Sequence, residues 1–272
     1  MVAVNLLLIL SMPPIFSFII VNFNSAHSIS LCLASLHNTH LKSHEYEVIV
    51  VNNDVSETKA LEMLQAQHSF KLIHTHSNIG FGAACNKGAT HALGNILGFI
   101  NPDAQFISGN VREIHTQFEC NPSVGIIGLK LLTGQGDTQA WSAGVRVTLW
   151  DILRNNLGFP KSKSLWRSQV PITVDWVSGA SLFIPRDLFT SVHGFDTRFF
   201  LYFEDNDLCE RILKQKKSIL YFPFISIRHT SGQSSSSKKQ QKYDYYKSQT
   251  LYFSLHRPKW EGWCIKTLRN IF

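Results

Sequence analysis

Residues 15–100 hold four short apolar runs, at 15–21, 46–51, 70–74 and 96–100, and each is separated from the next by a polar turn and a stretch of helical periodicity. No other feature limits the fold as much. Strands that are apolar at every position are buried on both faces, which means a sheet covered by helices on either side. The helices fall at about 26–36, 57–67 and 82–93, so strand and helix alternate and a largely parallel α/β sheet is implied. After Asp103 the rhythm changes. A helix is expected near 110–118 and a strand at 124–129, followed over 133–144 by an irregular glycine-rich stretch of the kind that shapes a substrate site. A second ordered block runs over 172–184, with Gly179 and Ala180 at its centre, where backbone can approach a ligand or simply form a bulge. A serine run at 234–237 reads as a linker that ends the core.

Chemistry concentrates at the ends of these elements. The run from Phe200 to Arg211 sets Glu204, Asp205 and Asp207 among aromatic and aliphatic residues, which costs desolvation energy unless a cation, a donor or a substrate proton offsets it. Leu208, Cys209, Ile212 and Leu213 follow at helical spacing, so Asp205 stands at or near a helix start. The positive end of that helix holds a carboxylate ionised, as a general base requires. The same pattern also describes an ordinary N-cap with a solvated first turn. Asn101-Pro102-Asp103 closes the fourth apolar run, where open α/β sheets bind ligands, and Asp103 there can ligate a hard divalent ion. Asn-Pro-Asp is equally ordinary turn chemistry. His229 ends a β-like run over 225–229 and reads either as structural or as the partner of Asp103 in a Mg²⁺ or Mn²⁺ site beside Glu204 and Asp205.

A chain of 272 residues buries a full core and is most simply one domain with a tail. Its five cysteines, without a C-x-x-C pair, read as free thiols in a reducing compartment. The net charge of +7 gathers at one end, because residues 238–272 hold eight Lys and Arg against Asp244 and Glu261, a local +6. Trp260, Cys264, Leu268 and Ile271 share one helical face there. The tail therefore reads as a basic amphipathic segment for an anionic membrane surface, with docking on the protein's own core as the alternative. Residues 1–14 are apolar but short, proline-broken and without a basic leader, and read as a lead-in that neither spans a bilayer nor directs secretion. Positive charge confined to the tail, with no recognition motif, speaks against a nucleic-acid partner. Asn22 to Ser25 stand where a dinucleotide-dependent oxidoreductase would carry G-x-G-x-x-G.

The segments FIIVNFNS, VIVVNND, NIGFGAACNKG, FINPDA, VDWVSGASLFIPRDLF, GFDTRFFLYFEDNDLCER and IRHTSGQS follow one another in order within residues 15–255. Together they resemble glycosyltransferase family 2, and within it the rhamnosyltransferase-like branch that builds bacterial O-antigen and other surface polysaccharides. The resemblance implies a GT-A fold over 15–235, with a nucleotide-binding half at 15–105, an acceptor-binding half at 106–235, and the basic tail at 236–272. It implies a nucleotide-sugar donor and a divalent metal, Mg²⁺ or Mn²⁺. By position, Asn22 and Asn24 end the first strand near the nucleotide, Asn53 lies at the turn that meets base and ribose, and Asn78, Gly80, Phe81 and Asn86 match the loop that closes on the nucleobase. Asp103 matches the metal-binding carboxylate of a D-x-D-like triplet, and His229 the histidine that completes the metal shell. Asp205 matches the catalytic base, with Glu204 beside it, and Trp176, Gly179 and Ala180 the lining of the donor and acceptor pockets.

Two positions depart from that pattern. Asn52 stands where the family usually carries Asp, which removes a charge from the contact to base or ribose, and Asn101 leaves the triplet with one strong ligand. The activity implied is an inverting transfer of a sugar to a lipid-linked saccharide at the inner face of the cytoplasmic membrane. The donor implied first is dTDP-L-rhamnose, and a UDP-sugar is the second. A non-catalytic carbohydrate-binding relative is the competing reading.

Overall fold

The computed structural model describes residues 13–158, 162–230 and 237–269. The lead-in at 1–12, the linker residues 234–236, and Ile271 and Phe272 of the tail lie outside them. Strands β1 (Phe16–Asn22), β2 (Tyr46–Asn52), β3 (Lys71–His74) and β4 (Ile96–Ile100) alternate with helices α1 (Ala26–Ser35), α2 (Thr58–Gln65) and α3 (Phe81–Ala89). β1 lies parallel to β2 and β4, and β2 parallel to β3. Period-two burial accounts for the unbroken apolar runs. Phe16, Phe18 and Ile20 face one core with Ile29 and Leu33 of α1 and Leu61 of α2, while Ile19 and Val21 face the other with Ala84 and Cys85 of α3.

The second half continues with β5 (Ala104–Ser108), α4 (Arg112–Cys120), β6 (Val124–Leu132), β7 (Ala143–Gly144), α5 (Leu149–Asn156), α6 (Lys163–Trp166), β8 (Ile172–Val174) and β9 (Trp176–Val177). It closes with β10 (Ser181–Pro185), α7 (Arg186–Ser191), α8 (Glu204–Lys214), β11 (Ser218–His229), α9 (Lys238–His256) and α10 (Lys259–Arg269). The main sheet has the order β3-β2-β1-β4-β10-β6-β11-β5, with β8 also on β11. β10 runs antiparallel to both β4 and β6, so the sheet is parallel in its first half and mixed in its second.

Two elements differ from the sequence expectation. The block at 172–184 is three short strands, because β9 leaves the main sheet to pair with β7 and Asp175 donates its N–H to Gly144. The strand ending at His229 is 12 residues long and passes through Pro223, at an irregularity between Phe222 and Ser226 where the missing donor is tolerated. A third core cluster joins Leu149 of α5, Phe199 and Phe203 before α8, Tyr252 and Phe253 of α9, and Ile265 of α10. The inner faces of α9 and α10 are thus docked on the body, as the alternative reading of the tail had it.

Candidate active site

Sheet register gathers the first part of the site. Beyond β4, Asn101 donates its N–H to Ala180 O at 3.0 Å, which lays the Asn101-Pro102-Asp103 turn beside Gly179 and Ala180. β11 pairs antiparallel with β5, His229 opposite Ala104, so the imidazole meets the preceding carboxylate and His229 Nε2 lies 3.3 Å from Asp103 Oδ1. A cavity of about 790 Å³ opens over these strand ends, within the range of small-molecule sites.

The second part is the start of α8. Tyr202 and Phe203 both adopt left-handed backbone conformations, φ 68° and 64°, each costing about 1–3 kcal/mol in a non-glycine residue. Packing against α9 holds them there, since both rings lie against Tyr245, with centroids 5.8 and 5.3 Å away. Asp205 is the second residue of the helix and borders the cavity. Its Oδ2 accepts the Gly179 N–H at 2.9 Å and its Oδ1 the Asn206 N–H at 2.8 Å. Glu204 is buried and its Oε2 has no hydrogen-bond partner. Burial, then the charge of Asp205, pushes the Glu204 carboxyl up to about 8. Burial also raises Asp205, against the pull of the Gly179 and Asn206 N–H groups. The two carboxyls are neighbours that resist carrying charge together, and Glu204, displaced to about 8, is the one that holds a proton at neutral pH.

Of the residues singled out in the sequence, Asn53, Asn78, Gly80 and Phe81 border the cavity on one side. Asn101, Asp103, His229, Trp176, Gly179, Ala180 and Glu204 border it with Asp205. Asn53 shapes the loop beside it, donating to Asn78 Oδ1 at 2.9 Å and accepting the Ile79 N–H at 3.0 Å. Gly80 has φ 87°, and a Cβ there would stand 2.6 Å from Phe200 O, so only glycine lets this loop close on the 200–203 segment.

Asn22, Asn24, Asn52 and Asn86 do not line the cavity. Asn52 is a buried hub whose Oδ1 accepts from Asn22 Nδ2 and the Asp54 N–H, each at 3.1 Å, and whose Nδ2 donates to Thr58 at 3.1 Å. It needs the donor that an aspartate lacks. Asn24 is exposed at φ 52° and its N–H donates to Asp54. Asn86 is a brace: its amide donates to Phe195 O and accepts the Phe195 N–H, both at 2.8 Å.

The sequence reading passed over several cavity residues: Asp151, Ile152 and Asn155 of α5, and Gln240, Asp244 and Tyr245 of α9. It also missed Gln139, whose Oε1 lies 3.0 Å from His229 Nδ1. Nδ1 thus has an amide oxygen beside it, and Nε2 faces Asp103 and the Asn101 amide, 3.1 Å away. One carboxylate and one imidazole nitrogen so oriented fit a Mg²⁺ or Mn²⁺ ion that takes its other ligands from a diphosphate and water. Among the described residues no group of three or more His, Cys, Asp or Glu forms a self-sufficient metal cluster.

A sequence model of the family described as glycosyl transferase family 2 matches residues 17–180. The chain is 25% identical over 209 residues to an N-acetylglucosaminyl-diphospho-decaprenol L-rhamnosyltransferase of Mycobacterium tuberculosis, covering 69% of this chain and 67% of that one. It is 25% identical over 229 residues to the O-antigen biosynthesis protein RfbC of Myxococcus xanthus, covering 80% of this chain and 17% of the larger protein. Among solved structures it resembles GalNAc-T7 with UDP, GalNAc and Mn²⁺, at a TM-score of 0.63 and 14% identity over 89% of this chain, and it spans about half of that chain, 48%. The architecture is the GT-A fold, as the sequence segments implied. Matched by the family model over more than half of its length, the chain belongs to glycosyl transferase family 2.

Proposed function

We propose that the cavity binds a nucleotide-activated sugar and transfers the sugar with inversion to a hydroxyl of a lipid-linked saccharide. The observation that carries this reading is the Asp205 carboxylate, held by the Gly179 N–H, in one cavity with Asp103 and His229. Asp205 accepts the proton of the acceptor hydroxyl as that oxygen attacks the anomeric carbon and the bond to the nucleoside diphosphate breaks. Glu204, protonated, spares the site a second negative charge beside the base. Asp103 and His229 would hold a divalent ion, which when bound would neutralise charge growing on the departing diphosphate. Trp176, anchored by its Nε1 donation to Val145 O at 2.8 Å, gives an apolar wall against which a sugar face packs.

dTDP-L-rhamnose is the first donor to test, supported by the rhamnosyltransferase relative, and UDP-sugars come next. The same relative supports a lipid-linked acceptor, and the O-antigen relative supports a place in surface-polysaccharide synthesis. The test is a panel of nucleotide sugars with Mg²⁺ or Mn²⁺ and a lipid-linked acceptor, with anomeric configuration read by NMR. Asp205→Asn should lower kcat about 10²–10⁴-fold and leave donor affinity unchanged. Normal turnover by that variant would remove Asp205 as the base.

A further inference from the structure

α5 and α10 each bury one side and leave a stripe of the same chemistry on the other. Along the exposed side of α5 and its C-cap, Trp150, Arg154 and Leu157 stand one turn apart, with Trp150 66% and Leu157 73% exposed. On α10, Lys259, Trp260, Trp263 and Lys266 are exposed, Trp260 at 55% and Trp263 at 68%, while Glu261 and Ile265 are buried. The helices are joined at their first turns, where Leu149 donates its N–H to Glu261 Oε2 at 3.0 Å, so Trp150 and Trp260 are chain neighbours of the two bonded residues. Both helices' acids are withdrawn from these stripes. Glu261 is paired with Arg257 at 2.7 Å, and Asp151 borders the cavity.

We infer that these stripes form one surface that seats on an anionic lipid bilayer. Three exposed tryptophans, on helices whose exposed charges among the described side chains are all Lys or Arg, match the headgroup layer, where indole is at home and cations meet anionic lipid. A protein partner is less well matched, because lysine is depleted from protein–protein interfaces. No helix among the described residues is long and apolar enough to cross a membrane, so these two lie along it. The surface also reaches the proposed active site, since α5 borders the cavity with Asp151, Ile152 and Asn155. An acceptor carried by a lipid would enter beside the helix that rests on the bilayer. This last step depends on the proposed transfer; the bilayer surface itself does not.

The full chain should sediment with vesicles of phosphatidylglycerol and phosphatidylcholine in equal parts and stay in solution with phosphatidylcholine alone. Trp150→Ala with Trp263→Ala, and separately Arg154→Gln with Lys266→Gln, should each weaken that binding about tenfold. Phe224→Ala, which removes an exposed aromatic from β11, should leave it unchanged. Thermal melting of every variant checks that it folds. Equal binding to both vesicles, or undiminished binding by both double variants, overturns the inference. So does self-association in solution that the tryptophan pair abolishes, which would make the face an interface between copies. Sugar transfer to a detergent-solubilised acceptor, measured on the same preparations, separates the two readings: loss of vesicle binding with transfer intact leaves the enzyme reading standing, and the reverse leaves the surface standing.

Discussion

The two sides of the cavity are positioned by different forces. Asp103 and His229 sit at strand ends, and their approach follows from backbone ladders, β4 against β10 and β11 against β5, with Asn101 and Ala104 setting the register. Asp205 sits on a helix held from behind by side chains. Tyr252 of α9 donates to Glu210 Oε1 at 3.0 Å, Arg146 donates to the same oxygen at 2.8 Å, and His256 meets Asp207 at 2.7 Å. Ser248 of α9 also donates to Leu201 O at 2.7 Å, gripping the loop that leads into α8. A ladder fails only when the fold fails. A set of buried polar contacts can be loosened one atom at a time, so the Asp205 side is where the proposed function separates from stability.

The largest effect expected lies on the ladder side. Phe18 is fully buried on β1 against Tyr46, Phe106 and Phe183, and Phe18→Ala should cost about 3–5 kcal/mol of unfolding free energy in urea, with kcat of the protein that remains folded unchanged. Glu210→Ala comes second. It strands the Tyr252 hydroxyl and the Arg146 guanidinium, costing about 1–3 kcal/mol, and it frees the helix that carries Asp205. Here kcat should fall about 10–100-fold at constant nucleotide affinity, because a small displacement of a base is enough. Glu210→Gln, which keeps an acceptor, should recover most of that loss. Unchanged kcat in Glu210→Ala would erase the distinction between the two sides.

The same division governs what could be read from the chain. β1, β2 and β4 were visible because burial on both faces leaves a nearly unbroken apolar run, and the helix start at Asp205 because apolar residues at helical spacing follow it. Nothing local to Asn86 reveals that its amide bonds to Phe195, 109 positions away, and that it stands outside the cavity lining. Gln139 was missed for a similar reason, its partner His229 lying 90 positions on. α9 was read for its lysines, yet Gln240, Asp244, Ser248 and Tyr252 recur every fourth residue. Of these Asp244, Ser248 and Tyr252 are buried, so a polar stripe at helical period was the available sign of an inward face. Such a stripe shows which face turns inward but not which distant residue it meets, and that is why the helix-held side was the harder one to see.

A pH profile gives the third test. The folded state holds a proton on Glu204 that the unfolded chain has already released, so the residue's contribution to stability declines as pH rises from the ordinary carboxylate range through about 8. Glu204→Gln should remove that decline in melting temperature. It should also remove a fall in kcat on the alkaline side of about 8, where a second charge arises beside Asp205. A ladder-side variant such as Phe18→Ala should keep both pH limbs.

The smallest effect is the most discriminating. Tyr252→Phe removes one hydroxyl from a fully buried ring and should cost about 1 kcal/mol. Tyr252 and Arg146 donate to the same oxygen of Glu210, so losing one donor leaves the carboxylate leaning on the other. A cycle of Tyr252→Phe and Arg146→Met, followed by denaturant unfolding and by kcat, should therefore be non-additive, with a coupling of about 0.5 kcal/mol or more. Strict additivity in both measurements would mean that the contacts behind α8 act independently. Asp205 would then be held by a sum of separate contacts, those to Glu210 and Asp207 behind the helix and the Gly179 N–H in front, and the contrast with the ladder side would narrow accordingly.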